Sequence, residues 1–174
     1  EVYDGVLAWA NEYDKEFCEY LKNNKYYAIK VFGIDRGGDK PRKDIAKWSE
    51  VKTKLDYMFN LHNYANIKEH ISEKIDKNTI EIMLNNYSKK YSNYTEKQDW
   101  FNDLKADAEK LGFAVNNKEY KANPNAFKGN MADYCLIIRL ALTGKADSLD
   151  IYSISKTIGE NEVVNRFSKF LSVL

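Results

Sequence analysis

The spacing of apolar residues constrains the fold of this chain more than any other feature, because they recur mostly at intervals of three and four. That interval is the period of an α-helix with one buried face, whereas a half-buried strand needs apolar residues at every second position. Only two prolines and eight glycines occur among 174 residues, so few positions break a helix. The sequence therefore predicts an all-α fold, a helical bundle or cage made of two small helical halves.

Apolar stripes and capping residues divide the chain into separate helices. We expect Asp14 to cap the second helix and Asp44 to cap a long one, which places Trp48 in the core. The run 25–34 fits a helix or a strand, and we favour a helix because no partner strand lies nearby. The predicted helices are 2–12, one around 17–21, 25–34, 45–59, 66–75, 79–92, one from a Thr95–Gln98 capping box to Leu111, 131–143, 149–158 and 160–171.

Two less regular stretches complete this outline. Residues 116–130 are rich in Asn and Lys and are predicted to be a loop with at most a short helix at Pro124. The polar tract 87–96 predicts a boundary, so we divide the chain into subdomains 1–90 and 91–174.

Composition and the amino terminus exclude several protein classes. No apolar run reaches the 18 residues of a membrane span, and Glu1–Asp4 lacks the features of a signal peptide. We therefore expect a cytoplasmic protein that does not contact a membrane. The absence of an initiator Met suggests an excised part of a longer polypeptide, although a processed chain would look the same.

No motif in the sequence indicates catalysis, a metal or a cofactor. Phosphate-binding glycine loops and nucleophile elbows are absent, and Ser153–Thr157 lies in an amphipathic helix rather than an ATP-binding loop. His62 and His70 are eight residues apart, about 12 Å on a helix, and we expect both at the surface. Cys18 and Cys135 have no metal-ligand spacing and are expected to be reduced and buried.

Arginines are the most informative charged residues of this chain. The formal net charge is only +1, which does not indicate a nucleic-acid binder by itself. Only four of 27 cations are arginines, and a site that needs a planar bidentate donor cannot use lysine instead. Arg139 lies in a nearly all-apolar helix, where its charge needs either a carboxylate or an RNA group. Both interpretations remain open.

A basic segment precedes the predicted helix 45–59. It contains Arg36, Lys40, Arg42 and Lys43, and it is either a solvated charged loop or a set of phosphate contacts.

Several segments resemble the C-terminal region of bacterial glutamyl-tRNA synthetases. The most specific is Leu136–Ile154, which carries the family pattern L-R-x-A-L-T-G at residues 138–144 apart from its first position, and Ile158–Glu160 and Val164–Phe167 follow it as in the family. Pro41–Lys52 and Phe127–Gly129 extend the resemblance over almost the whole chain.

The resemblance implies an α-helical anticodon-binding body that holds tRNA(Glu), and tRNA(Gln) as a second candidate. It implies that Arg139 contacts the anticodon loop, that Thr143 and Gly144 form the following turn, and that Ile151 packs beside an anticodon base. ATP and Mg would bind in an upstream catalytic domain, so subdomain 1–90 would lead toward it and subdomain 91–174 would bind the anticodon. We expect no cofactor in this chain, no catalysis by it alone, and a monomer.

Two positions depart from the family pattern. Ser148–Leu149 replaces a common proline, and Leu136 replaces an aromatic residue. The alternative hypothesis is a stand-alone helical domain that binds other proteins, favoured by the low net charge and thirteen tyrosines.

Overall fold

The computed structural model describes residues 1–37 and 39–174 and confirms the all-α prediction. Ten α-helices and five short 3₁₀ turns occur in the described residues, and β-structure there is a single isolated bridge between Ala114 and Asn130. The helices are α1 Val2–Tyr13, α2 Lys15–Asn23, α3 Lys25–Gly33, α4 Val51–Lys54, α5 Lys77–Lys90, α6 Lys97–Lys110, α7 Asn117–Ala122, α8 Met131–Thr143, α9 Ile151–Ile158 and α10 Glu160–Val173.

The first three helices pack against one another and follow the sequence prediction closely. Asp14 caps α2 by accepting a hydrogen bond from the Phe17 backbone nitrogen at 3.0 Å. The run 25–34 is helical, as expected, and its Phe32 packs edge-on against Phe59 at 6.2 Å. Phe17 meets the same ring at 5.1 Å, so Phe59 joins α2 and α3 to the segment that follows them.

The long helix predicted over 45–59 is wrong. Residues 45–47 are not helical, and the chain then forms a 3₁₀ turn at Trp48–Glu50, the single-turn helix α4, and another 3₁₀ turn at Asp56–Phe59. Asp44 caps no helix, because its carboxylate lies 2.7 Å from Nε of Arg42. Trp48 is 42% exposed rather than in the core, and it covers Gly5 of α1.

Tertiary packing explains this departure from helical periodicity. Leu55, Tyr57 and Phe59 are all buried, and residues two apart in an α-helix point about 200° away from each other. A straight helix that packs on the core through one face cannot bury all three side chains. The irregular path does so, and Asn60 ends it in the left-handed conformation, with φ 60°.

Three further predictions need correction. The helix predicted over 66–75 is only a 3₁₀ turn at Ile67–His70. Thr95 does not cap α6, which begins after Glu96 without a side-chain cap. The stretch 116–130 contains α7, whose cap is Asn116, before the expected turn at Pro124–Ala126.

α8 is the central helix of the carboxyl-terminal part. It packs on α5, α6, α9 and α10, and most of its side chains are buried. The helix begins with a capping box between Asn130 and Asp133. Predicted helices 131–143 and 160–171 are confirmed, and 149–158 begins two residues later than expected.

The predicted division at residue 90 falls at the end of α5. That helix packs on α8 and α10, and Tyr87 Oη lies 2.7 Å from Ser155 Oγ in α9. The buried apolar residues of both halves form one cluster. The division into 1–90 and 91–174 stays a prediction.

A buried arginine ties the two halves together. Arg166 is 1% exposed, and its Nε donates to Glu162 Oε1 at 2.8 Å. Its Nη1 donates to the Leu142 carbonyl at 2.7 Å and its Nη2 to Asn60 Oδ1 at 3.2 Å. α10, the end of α8 and the turn after α4 therefore meet at one guanidinium, which satisfies the buried charge with a carboxylate and two neutral acceptors.

Across the described residues, no helix has the length and apolar character needed to span a membrane.

Candidate functional site

The loop 145–150 between α8 and α9 lies among the residues predicted to form the site. The residue before the loop is Gly144, which adopts φ 71° and donates its backbone N–H to the Leu140 carbonyl at 2.7 Å. A Cβ atom at this position would lie 1.9 Å from the Asn63 carbonyl oxygen. Glycine is therefore required here both by the left-handed conformation and by the close approach of another backbone segment.

Thr143 is fully buried and its hydroxyl is used within the chain. Its Oγ1 donates to the Arg139 carbonyl at 2.7 Å and accepts from the Lys145 backbone nitrogen at 3.1 Å. The threonine thus fixes the turn after α8 and does not present a surface group.

Both ends of the loop are anchored to other parts of the molecule. Lys145 forms an ion pair with Asp56 at 2.8 Å at one end. Near the other end, the Leu149 backbone nitrogen donates to Tyr57 Oη at 3.0 Å, and Asp150 caps α9. The loop is consequently held in one conformation before any ligand binds.

Arg139 lies beside this loop and lines a recess of about 490 Å³. Its Nε donates to Ser148 Oγ at 3.1 Å. Within the described residues no carboxylate oxygen lies within 4.0 Å of the guanidinium, and its two terminal nitrogens make no hydrogen bond. The structural ion pair considered for Arg139 is therefore absent there, and the side chain keeps donors for another molecule.

The Arg139 recess is lined by apolar and aromatic side chains, by Gln98, and by an ion pair in which Lys97 Nζ lies 2.7 Å from Asp150 Oδ1. Ile151 is 3% exposed, and Trp100 and Phe101 of α6 line it with ring centroids 6.1 Å apart. Cys135 also lines it, and burial raises the pKa of its thiol to about 11 although the Arg139 charge opposes that shift. The thiol stays protonated at neutral pH and contributes an apolar surface.

Ser148 belongs to the pair Ser148–Leu149, which was noted above to stand in place of a common proline, and its hydroxyl is a group that proline lacks. Its hydroxyl accepts the Arg139 hydrogen bond and donates to the Leu149 carbonyl at 2.7 Å. The replacement thus orients the guanidinium along the loop.

A second recess, of about 570 Å³, borders the same loop and is lined by Arg42. Asp147, Ser148 and Leu149 line this recess, and Ser148 also accepts the hydrogen bond from Arg139. Arg42 and Arg139, 97 positions apart in the sequence, therefore both lie in recesses that border one six-residue loop.

The charges of the Arg42 recess are mixed. Three cations face three carboxylates there, namely Arg42, Lys54, Lys145 and Asp35, Asp44, Asp147. The Arg42 side chain is 12% exposed and its two terminal nitrogens are enclosed without a hydrogen-bond partner among the described residues. Burial lowers the pKa of Arg42, although Asp44 opposes that shift. Burial also raises the pKa of Tyr57, which lines the recess, to about 12.

The other members of the predicted basic segment lie apart from this recess. Arg36 donates from Nη1 to the Arg42 carbonyl at 3.2 Å and borders a third recess, formed by α3 and the amino terminus. Lys40 and Lys43 are exposed. The segment is thus one enclosed arginine beside solvent-exposed lysines, and Gly38 within it lies outside the described residues.

Sequence reasoning missed the aromatic wall and the buried arginine. Trp100 and Phe101 lie in the helix predicted from the Thr95–Gln98 capping box to Leu111, and periodicity gave no sign that both also line the recess that contains Arg139. The i, i+4 spacing of Glu162 and Arg166 inside an apolar stripe was the available signal for the buried ion pair.

His62 is half-buried, so the expectation that it lies at the surface is wrong. Burial, followed by the nearby Arg166 charge, lowers its pKa to about 4. His70 is exposed, as expected, and Cys18 is buried and reduced while Cys135 is only half-buried. In the described part of the chain, no three His, Cys, Asp or Glu side chains are grouped to hold a metal ion.

Residues 16–171 match the family model described as an anticodon binding domain. The chain belongs to this family. Among relatives of this anticodon-binding domain, the glutamate–tRNA ligases of Clostridium beijerinckii and Clostridium perfringens are 40% and 39% identical, each over 99% of this chain. The glutamate–tRNA ligase of Sorangium cellulosum is 29% identical over 98% of the chain. No solved structure gave a significant match.

These relatives are much longer than this chain. It spans 32% of the two clostridial ligases and 30% of the third, and the match lies in their C-terminal part. The resemblance stated from residues 136–154 is thereby confirmed, and both arginine recesses lie within the part matched to the anticodon-binding domain family.

Proposed function

We propose that this domain is the anticodon-binding part of a glutamate–tRNA ligase. It would hold the anticodon loop of tRNA(Glu) while another part of a longer polypeptide joins glutamate to the acceptor end, using ATP and Mg. Family membership and the similarity to three ligases support this proposal. We further propose a cytoplasmic monomer that does not catalyse ligation by itself.

The observation that most supports this proposal is that the Arg139 guanidinium and two aromatic side chains line the same recess. Its two terminal nitrogens make no bond within the described residues, and the buried Trp100 and the half-buried Phe101 line the same recess. An unstacked RNA base can use both features, because it can stack on an aromatic ring while a guanidinium donates to its edge.

Thr143, Gly144 and Ile151 would act by shaping this surface. Thr143 and Gly144 fix the direction of the loop, and buried Ile151 forms part of the recess. On this proposal Arg139 touches RNA, whereas Thr143 and Gly144 position the elements around it.

The basic segment would supply phosphate contacts. Lys40 and Lys43 are exposed and suit the flexible, sequence-independent attraction of the RNA backbone. Arg42 is held by Asp44 and enclosed, so we propose that it shapes or contacts the loop recess rather than following the phosphates.

The test uses the full-length ligase polypeptide, with tRNA(Glu) and an anticodon variant as probes. Arg139→Ala should weaken binding of tRNA(Glu) by about 1–3 kcal/mol, roughly 5- to 150-fold, while changing binding of the variant much less. Lys40→Ala with Lys43→Ala should weaken both RNAs alike and reduce the slope of log affinity against log salt by about 0.7–0.9 per contact. Lys89→Ala with Lys110→Ala, at exposed positions on α5 and α6, is the matched control.

If the Arg139→Ala variant binds tRNA(Glu) as tightly as wild type and has the same melting temperature, the proposed RNA contact of the Arg139 recess is contradicted. If no variant alters RNA binding and the domain instead forms a complex with another protein, the alternative of a protein-interaction domain is correct. Charging of tRNA(Gln) by the wild-type polypeptide would show that both RNAs are substrates.

A further inference from the structure

α3 has the composition of a helix that is covered on all sides. Its residues Lys25–Gly33 include two tyrosines, an alanine, an isoleucine, a valine and a phenylalanine, with only two lysines. Ala28, Val31 and Phe32 face the core and are buried. A helix that is apolar around most of its circumference is normally found inside a protein.

The outer face of this helix is nevertheless uncovered. Tyr26 is 89% exposed and Ile29 is 45% exposed, although both are large apolar side chains. With Gly33 they occupy positions i, i+3 and i+7, which form one continuous stripe on a helix. The stripe is therefore a second apolar face, opposite the one that packs on the core.

A recess of about 440 Å³ continues this stripe toward the amino terminus. Ile29, Phe32 and Gly33 form one side of it, and Val2 and Tyr3 form the other. Glu1 also lines the recess, so any polypeptide that precedes Glu1 starts at its rim. No side chain within 4 Å would obstruct an atom added at Gly33, which leaves this end of the stripe open to a neighbour.

We propose that the stripe Tyr26–Ile29–Gly33 and the adjoining recess are the docking surface for the domain that precedes this one in the same polypeptide. This inference rests on the proposed function. The ligases that resemble this chain are about three times as long and match it in their C-terminal part, so most of their length precedes the matched region. A domain attached before Glu1 would be tethered beside the recess, which would raise its local concentration there above that of any free partner.

The docked surface would be apolar at its centre. Burial of Tyr26 and Ile29 is favourable by the hydrophobic effect and would fix the orientation of this domain relative to its neighbour. With this orientation fixed, binding of the anticodon loop would also place the distant acceptor end of the tRNA correctly. Charges of both signs surround this apolar centre, because Lys25 and Lys30 flank the stripe while Glu1, Asp4 and Arg36 line the recess, so the edge of the partner surface would be polar with charges of both signs.

The experiment introduces a thiol into the full-length ligase at Ile29→Cys, with Val164→Cys as the control. Val164 is 54% exposed on α10 and belongs to none of the recesses described above. Modification by a maleimide is followed at each thiol by peptide mass spectrometry, which separates the signals of Cys18 and Cys135. We expect the Ile29→Cys thiol to react at most about one-tenth as fast as the Val164→Cys thiol, because it reacts only when the interface opens.

Equal rates at the two positions would overturn the proposal. Protection that appears only after tRNA is added would assign the stripe to RNA, and protection that rises with protein concentration would assign it to a second copy of the chain. Each of these results also overturns it. If the wild-type polypeptide neither charges glutamate nor binds tRNA(Glu) while the Ile29→Cys thiol is still protected, the proposed function is contradicted and the docking surface is not.

A second variant tests the interface by disruption. Ile29→Asp in the full-length polypeptide should make the connection before Glu1 more sensitive to protease, whereas Val164→Asp should not. Ile29 is already partly exposed within this domain, so the substitution should leave the domain itself folded.

Discussion

Replacing Arg166 with methionine should cost far more stability than the same change at Arg139. The Arg166 guanidinium is 1% exposed and makes an ion pair and two further hydrogen bonds, whereas Arg139 makes one hydrogen bond and is half-buried. Breaking a buried ion pair from one side costs about 3–5 kcal/mol. Loss of a single hydrogen bond costs about 1 kcal/mol.

Thermal unfolding followed by circular dichroism measures the difference. For a chain of this size each kcal/mol shifts the melting temperature by about 2–4 °C, so Arg166→Met should lower it by roughly 6–20 °C. Arg139→Met should lower it by only about 2–4 °C. Urea denaturation provides the free energies directly, and the double variant Arg166→Met with Glu162→Met should recover part of the loss because no unpaired carboxylate remains.

The same ion pair predicts a dependence on pH. Burial alone would raise the pKa of Glu162, but hydrogen bonds from Arg166 and Asn165 hold it below its usual value. A lowered carboxyl pKa stabilises the fold above the unfolded-state pKa, and this stabilisation disappears as the pH falls through the folded-state value. Wild type should therefore lose more stability on acidification below about pH 4.5 than Arg166→Met does.

The stabilising role assigned to Arg166 is refuted if Arg166→Met melts within about 3 °C of wild type.

Two further predictions concern single positions in the same chain. Gly144→Ala should lower the free energy of unfolding by more than about 1 kcal/mol, because this residue is left-handed and the alanine Cβ would lie 1.9 Å from the Asn63 carbonyl oxygen. Gly33→Ala, which has open space around it, should be neutral or slightly stabilising in urea denaturation. Equal costs for the two variants would show that the turn at Gly144 relaxes freely. The pKa of His62 is lowered from 6.5 to about 4 in the folded chain. Between these two pH values the unfolded chain binds a proton that the folded chain does not, so stability falls as the pH drops from 6.5 toward 4. His62→Gln should flatten this fall between pH 7 and 5 and exposed His70→Gln should not, so identical profiles for wild type and His62→Gln would refute the role of burial.

Local sequence determined most of the helices. The stripes that predict 2–12, 25–34, 131–143 and 160–171 are periodic over several turns, and each helix closes its own hydrogen bonds within a few residues. Asp14 and the left-handed Gly112, with φ 86°, mark helix ends through contacts of three to five residues, so they too were predictable. The pattern L-R-x-A-L-T-G likewise indicated the family from a short segment, because its arginine, threonine and glycine stand at fixed spacing around one helix end.

Tertiary structure alone decided the path of residues 45–59 and the make-up of the candidate site. The stripe Val51, Leu55, Met58 fits a helix locally, but burial of Tyr57 and Phe59 against other elements required an irregular chain. Arg139 and Arg166 are each an arginine among apolar residues in the sequence. Arg166 donates to the Leu142 carbonyl and to Asn60, 24 and 106 positions away, and these contacts make it structural. Arg139 donates to Ser148, and its two terminal nitrogens make no bond in the described residues. A period of 3.6 residues carries no information about such contacts, since they join positions that are far apart along the chain.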